Sequence, residues 1–97
     1  MDQRQPAIYI MANKRNGTIY TGVTNNLIQR VYQHKYSDNP GFTKQYDCKL
    51  LVYYEHYEDM LSAIEREKQL KGGSRKNKLA LIETMNPRWK DLYEALL

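Results

Sequence analysis

Two short runs of apolar, β-branched and aromatic residues near the start of the chain, Ala7–Met11 and Thr18–Val23, constrain the fold most. Between them, residues 13–17 read Asn-Lys-Arg-Asn-Gly, a polar stretch of residues that favour turns. Two strand-like runs on either side of such a stretch predict an antiparallel β-hairpin. Any fold of this chain must therefore accommodate a hairpin at its start.

Alternation along the hairpin assigns its two faces. The predicted apolar face carries Ile8, Ile10, Ile19, Thr21 and Val23. Tyr9 and Tyr20 then lie together on the opposite face. This holds for a turn centred on residues 14–15 or on residues 16–17, and only the first of these places Tyr9 directly across from Tyr20.

Start and stop signals predict one more strand and four helices after the hairpin. Strands and helices do not alternate regularly in this order, so a small α+β domain with an antiparallel sheet is favoured. The predicted elements are a helix capped by Thr24 or Asn25 and running to about Tyr36, a strand at Leu50–Tyr57, a helix capped by Asp59 and ending at Gly72-Gly73, a helix capped by Ser74 with Leu79, Ile82 and Met85 inward, and a short helix after Pro87.

The length of 97 residues predicts one domain. We expect its core to cover about residues 6–86, with the C-terminal helix over about residues 88–97. A chain of this size holds one small core, so doubly wound, barrel and repeat architectures are excluded.

Charge, cysteine content and motifs narrow the function classes. The formal net charge of +4 is modest and compatible with a polyanionic partner. One cysteine, Cys48, forms no intramolecular disulfide, and with only two histidines a Cys/His zinc site is excluded. Residues 1–6 are polar, and no apolar run approaches the ~20 residues that cross a bilayer. No Gly-rich nucleotide motif occurs, so we expect a cytoplasmic protein without a membrane or an organic cofactor as partner.

Five residues carry the candidate chemistry. Tyr9 and Tyr20 share a sheet face, and Arg30 and His34 lie four residues apart on the next helix. Glu67 falls on the otherwise apolar stripe of the second predicted helix, where an unpaired carboxylate is costly. These residue types suit phosphodiester hydrolysis. A guanidinium can stabilise the charge of the phosphoryl group, one carboxylate can bind a divalent metal, and a tyrosine can act on the attacking water.

Each of these residues also has an ordinary structural interpretation. The two tyrosines could pack on a helix, and the Arg30/His34 pair could be a solvated helix flank. Glu67 could form a salt bridge with Lys71 or Arg30, and Asn86 could cap the helix before Pro87.

The order of several short motifs resembles the GIY-YIG nuclease superfamily. Ala7-Ile8-Tyr9 and Tyr20-Thr21-Gly22 resemble its paired motif, with Ala7 and Thr21 as departures that lie off the reactive atoms. Arg30-x-x-x-His34 continues the match, and residues 63–71 look like its metal-glutamate helix. Residues 86–92 look like the ending of a small stand-alone bacterial branch, which is similar to the nuclease domain of the bacterial excision-repair incision subunit, so DNA repair is one expected setting.

The resemblance implies a three-stranded antiparallel sheet with flanking helices and a one-metal nuclease mechanism. It implies Tyr9 as general base or water-positioning group, with His34 either drawing the proton from Tyr9 or tuning it. Tyr20 and Arg30 would bind the scissile phosphate, and Glu67 would hold Mg²⁺ or Mn²⁺. It also implies that Asn86 completes the site. Nearby cations would be needed to lower the pKa of the tyrosine for this role.

A basic surface around these residues would follow the phosphates of a nucleic acid. Most of its predicted members lie at the hairpin tip, on the loop after the first helix and in the basic stretch of residues 66–78. The candidate nucleic-acid-binding residues are Lys14, Arg15, Lys35, Lys44, Lys71, Arg75 and Lys76.

These features together predict a metal-dependent DNA endonuclease that acts as a catalytic module without an appended specificity domain. One alternative is a catalytically weak nucleic-acid-binding module of the same fold. A second is a protein-interaction module that retains the fold. Substrate structure, DNA versus RNA, and oligomeric state stay open at this point.

Overall fold

The computed structural model describes residues 5–36 and 47–97. Within them the chain forms three strands and four helices in the predicted order. The strands are β1 (Ala7–Ala12), β2 (Ile19–Thr24) and β3 (Leu50–His56), and the helices are α1 (Leu27–Tyr36), α2 (Met60–Gly72), α3 (Arg75–Met85) and α4 (Tyr93–Leu96). The small α+β class and the antiparallel three-stranded sheet are confirmed.

β1 is the central strand of the sheet, in the order β2-β1-β3. In the β1–β2 pair Tyr9 lies across from Gly22, and Tyr20 lies across from Met11. The hairpin therefore centres midway between the two predicted positions, and the two tyrosines are diagonal neighbours on one face rather than direct partners. The prediction that they share a face is confirmed.

Both faces of the sheet are covered, not only the predicted apolar one. Ile8 and Ile10 pack with Val52, Ala63 and Ile82 against the layer of α2 and α3. The Tyr9 face packs against α1 and α4 through a second cluster that consists of Ala7, Tyr9, Met11, Leu27, Val31, Cys48, Leu51 and Tyr93. A central strand between two helix layers is buried along its whole length, which explains why β1 is apolar at nearly every position.

The hairpin loop is a tight, internally bonded turn. The Gly17 amide donates to the Lys14 carbonyl at 3.0 Å, and Asn16 between them has a φ of 57°. Asparagine tolerates this left-handed conformation better than most residues. Asn13 closes the loop, because its side-chain oxygen accepts from the Thr18 amide at 2.9 Å.

Side-chain caps begin the longer helices. Asp59 accepts from the Ser62 amide at 2.8 Å, and Ser74 accepts from the Asn77 amide at 3.1 Å, so both predicted caps are confirmed. The predicted cap of α1 is wrong. Asn26, rather than Thr24 or Asn25, accepts from the Gln29 amide at 3.1 Å, because β2 continues through Thr24 and delays the helix.

The C-terminal segment differs from the prediction. Helix α4 spans only Tyr93–Leu96 instead of about residues 88–97. The chain first turns at Trp89, which has a φ of 56°, and the Asp91 carboxylate accepts from the Tyr93 amide at the start of α4. Trp89 is buried, whereas Met85 is 44% exposed and not inward as predicted, because α3 ends there.

Candidate active site

Three rings from three elements meet on the α1 side of the sheet. Tyr9 on β1, Tyr20 on β2 and His34 on α1 have centroid separations of 6.4 Å between the tyrosines, 5.5 Å from Tyr9 to His34 and 5.6 Å from Tyr20 to His34. The predicted tyrosine pair and the predicted helix histidine are therefore brought together.

Gly22 makes the room for this group. It lies directly across from Tyr9, and a Cβ built on it would be 2.5 Å from Cζ of the Tyr9 ring. Only glycine lets the ring lie over the neighbouring strand at this distance. Sequence reasoning assigned Gly22 no role, although correct hairpin pairing would have placed it opposite Tyr9.

The Tyr9 hydroxyl is hydrogen-bonded to Nε2 of His34 at 2.8 Å. Burial, and then the charge of Arg30, lower the pKa of His34 below its usual value. The imidazole is therefore neutral at neutral pH, and we assign the tautomer that accepts the hydroxyl proton at Nε2. This contact gives the Tyr9 proton a defined acceptor.

The electrostatics of Tyr9 differ from the expected tuning. Burial raises the pKa of Tyr9 far above its usual range, and the neighbouring Tyr20 phenol raises it further. Arg30 opposes this shift and Glu67 adds to it, but neither outweighs burial. In the protein alone Tyr9 is thus a neutral phenol, and the expected lowering by nearby cations does not prevail.

Glu67 approaches the same group from α2, on the other side of the sheet. Its side chain is 16% exposed, and Oε2 lies 3.4 Å from Nζ of Lys71, so the predicted salt bridge to Lys71 exists. Glu67 is still near enough to raise the pKa of Tyr9. α2 packs on both β1 and β2, which is how a residue so far along the chain reaches the tyrosines.

The residues present suit a metal ion that the protein binds through a single side chain. In the described parts of the chain no three His, Cys, Asp or Glu side chains form a metal cage. A single carboxylate with waters and substrate oxygens is a normal environment for Mg²⁺ or Mn²⁺. Glu67 fits that chemistry, and Lys71 is the cation that a metal would have to compete with.

Asn86, the remaining predicted site residue, has its side chain hydrogen-bonded to backbone groups. Its amide nitrogen donates to the carbonyls of Val52 and Lys90 at 3.2 and 2.7 Å, and its oxygen accepts from the Lys90 amide at 3.0 Å. The side chain is buried and joins the end of α3 to β3. Asn86 is also the C-terminal cap residue of α3, as its structural interpretation predicted, and makes that contact through its backbone amide, which donates to the Ile82 carbonyl.

The predicted nucleic-acid-binding cations divide into exposed residues and residues engaged in contacts within the fold. Lys14, Arg15 and Lys76 are exposed. Arg75 donates to two carbonyls of the hairpin tip, and Lys71 pairs with Glu67.

Lys35 is engaged within the fold rather than presented on the surface. Its side chain is only 12% exposed, pairs with Asp91 and lies 5.4 Å from the centroid of the Tyr93 ring. Lys44 lies outside the described residues.

Two features at the edge of the site were not predicted. Arg66, counted among the basic residues, binds Glu55 of β3 through Nε at 3.0 Å and Nη2 at 3.1 Å. Tyr53 and Tyr57 also donate to the Glu55 carboxylate. An ion pair between segments that are far apart in the chain cannot be predicted from a local sequence pattern.

Cys48 is completely buried, and burial raises the pKa of its thiol. A buried thiol of raised pKa is a poor nucleophile.

Known proteins resemble this chain over most of its length. The model of the GIY-YIG catalytic domain matches residues 5–80. A UPF0213 protein of Staphylococcus haemolyticus is 36% identical over 76 residues, covering 78% of this chain and 92% of that protein. A UPF0213 protein of Clostridium perfringens is 35% identical over 77 residues, covering 79% and 82%.

A solved structure extends the likeness to the fold. The solution NMR structure of a UPF0213 protein from Bacillus halodurans has a TM-score of 0.55 at 22% identity and covers 93% of this chain and 95% of that one. None of the described helices is long and apolar enough to span a membrane.

Proposed function

Because this chain belongs to the GIY-YIG family, we propose that it is an endonuclease that hydrolyses DNA phosphodiester bonds with one divalent metal. The observation that carries this proposal is the 2.8 Å hydrogen bond from Tyr9 to His34, within reach of the charges of Arg30 and Glu67. A phenol with a proton acceptor behind it, a cation beside it and one carboxylate nearby is suited to activating water at a phosphate.

Tyr9 and His34 move the proton. The attacking water gives a proton to the Tyr9 oxygen while the hydroxyl proton of Tyr9 passes to Nε2 of His34. The resulting hydroxide attacks phosphorus, the bond between phosphorus and the leaving oxygen breaks, and that oxygen leaves as an alkoxide that takes a proton from water. The neutral state of His34 is what allows it to accept this proton.

Arg30 and Tyr20 bind the scissile phosphate. Arg30 is exposed on α1, beside the three rings, and its charge acts on both Tyr9 and His34. Its planar fork of donors matches two phosphate oxygens. Glu67 would hold the divalent cation, which would supply positive charge for the phosphate and the leaving oxygen.

Cleavage of plasmid DNA with Mg²⁺ or Mn²⁺ tests the proposal. We expect Tyr9→Phe to slow cleavage by about 10²–10⁴-fold, the usual contribution of general acid–base catalysis. Glu67→Gln removes the metal-binding charge and should abolish the response to metal. The matched controls are Tyr54→Phe, directly across from Tyr9 on β3, and Glu65→Gln, exposed on the same helix as Glu67.

The outcome separates the alternatives. Cleavage of equal rate by the wild type and Glu67→Gln contradicts the assigned metal site. DNA binding without cleavage favours a non-catalytic binding module. No DNA binding even at low salt, where phosphate contacts are strongest, favours a protein-interaction module.

A further inference from the structure

Two basic segments that are far apart in the chain meet on the surface. Nη2 of Arg75, in the first turn of α3, donates to the carbonyls of Asn16 and Gly17 at 3.0 and 2.6 Å. The hairpin tip that it holds is stiff, because the Gly17 amide donates to the Lys14 carbonyl. The position of the tip relative to α3 is therefore fixed by a specific contact.

This contact gathers four exposed cations, which we call the tip–α3 surface: Lys14, Arg15, Arg75 and Lys76. The ion pairs of the described residues all lie elsewhere, at Lys35, Lys49, Arg66 and Lys71. No acidic residue stands in the first turn of α3. The surface is thus a cluster of like charges without an internal counterion among the described residues.

Packing accounts for the Arg75 contact itself but not for the like charges that it gathers. Cations near a helix N-terminus oppose the helix dipole, and neighbouring like charges repel each other. Arg75 nevertheless holds the tip with two hydrogen bonds, and this brings Lys14 and Arg15 toward Lys76. A polyanion lying across the surface would offset the repulsion.

The surface lies on the strand that leads to the candidate active site. Gly17 precedes Tyr20 by three residues, which is about 10 Å of extended chain. That length equals about three base-pair steps along the axis of B-DNA, at ~3.4 Å each. A duplex whose axis followed β2 away from the three rings would meet the tip–α3 surface about three base pairs away.

On the basis of the proposed function, we propose that the tip–α3 surface is a second phosphate-binding site. It holds the nucleic-acid backbone about three nucleotides from the bond that is cut. Lys14, Arg15 and Lys76 contact phosphates there. Arg75 positions the tip through its two carbonyl contacts and directs its remaining donors to the backbone.

The salt dependence of DNA binding tests this site. Binding of a labelled duplex of about 20 base pairs is measured by fluorescence anisotropy in EDTA, over a range of salt concentrations. We expect the double variant Lys14→Gln/Arg15→Gln to reduce the slope of log K against log[salt] by about 0.9 for each lost contact, or about 1.8 in total, and to weaken binding at physiological salt by about tenfold or more.

The matched control is Arg88→Gln/Lys90→Gln, which removes the same charge from two exposed residues beyond the far end of α3. It should leave the slope unchanged. A slope in the Lys14→Gln/Arg15→Gln variant equal to that of the wild type, or an equal change in both double variants, overturns the site. Because binding is read without metal, absence of cleavage by the wild type contradicts the proposed function alone, and an unchanged slope in a cleaving protein contradicts the second site alone.

Discussion

At the scale of single residues, Tyr9 is 1% exposed and yet keeps a hydrogen-bond partner for its hydroxyl. Two neighbours make this possible in different ways: His34 supplies the acceptor, and Gly22 supplies the space. The reactivity proposed for Tyr9 therefore depends on a residue that has no side chain.

Substitution of Gly22 should displace the Tyr9 ring. Gly22→Ala puts a methyl group 2.5 Å from Cζ of Tyr9, and we expect it to cost about 1–3 kcal/mol of unfolding free energy and most of the DNA-cleaving activity. Urea unfolding and single-turnover cleavage measure the two effects.

Gly72 provides the control for Gly22. A Cβ on Gly72 has open space within 4 Å, and alanine is the better helix former. Gly72→Ala should keep its activity and gain up to about 1 kcal/mol. Equal stability and activity in Gly22→Ala and the wild type would show that the Tyr9 ring does not need this space.

Much of this residue-level picture could be predicted, and the exceptions share a cause. Strand alternation placed Tyr9 and Tyr20 on one face, because a period of two is a local property. The pairing of Lys35 with Asp91 and the contact of Arg75 with the hairpin tip join segments more than 50 residues apart. Such contacts depend on how helices dock, which no local pattern encodes. The chemical roles came from the resemblance to a family, not from spacing.

At the scale of elements, α2 is fixed to β3 by a compact polar network. The Glu55 carboxylate binds the Arg66 guanidinium through two nitrogens and accepts from Tyr53 and Tyr57. These hydrogen bonds hold the pKa of Glu55 below its usual value despite burial, which acts in the opposite direction. Burial and then the hydrogen bond to Glu55 raise the pKa of Tyr53 to about 12. The next residue after Arg66 is Glu67, so the network sets how α2 presents the carboxylate proposed to bind the metal.

Loss of Arg66 should loosen α2. Arg66→Ala leaves Glu55 without its cation, and we expect a loss of about 1–3 kcal/mol of unfolding free energy, with weaker metal-dependent cleavage because Glu67 shifts. Chemical unfolding and a metal titration of cleavage check this. Lys68→Ala, an exposed cation on the same helix, should change stability by less than about 0.5 kcal/mol. Similar behaviour of the two variants would remove Arg66 from this role.

At the scale of the whole molecule, each face of the sheet holds a partly buried group whose protonation opposes folding. His34 lies between Tyr9, Tyr20 and Arg30, and its pKa is lowered by burial and by that cation. Glu55, in the opposite layer, has a lowered pKa of its own. The protein also carries a net charge of +4 before any histidine is protonated. Protonation at low pH therefore destabilises the packing on both faces of the sheet.

Stability should fall as the pH drops below about 6.5, the usual pKa of histidine. The pKa of His34 is lower in the folded protein, so the unfolded chain binds more protons and stability rises with pH across this range. Stability that depends on Glu55 is lost only at lower pH, below about 4.5. Urea unfolding at about pH 7 and about pH 5 should show a smaller loss for His34→Gln than for the wild type. An equal loss in both proteins would show that His34 does not carry this dependence.

The central position of β1 also has a kinetic consequence. β1 is buried throughout and hydrogen-bonded on both sides, whereas β2 and β3 flank it. In hydrogen-exchange terms, its amides belong to the last cooperative unit to open. α2 lies outside the sheet, held by core contacts and by the Arg66–Glu55 contact. We expect it to open as a smaller unit than β1, carrying Glu67 away while Tyr9 stays in place. On warming, the molecule would then lose the carboxylate proposed to bind the metal before the strand that bears Tyr9 begins to exchange.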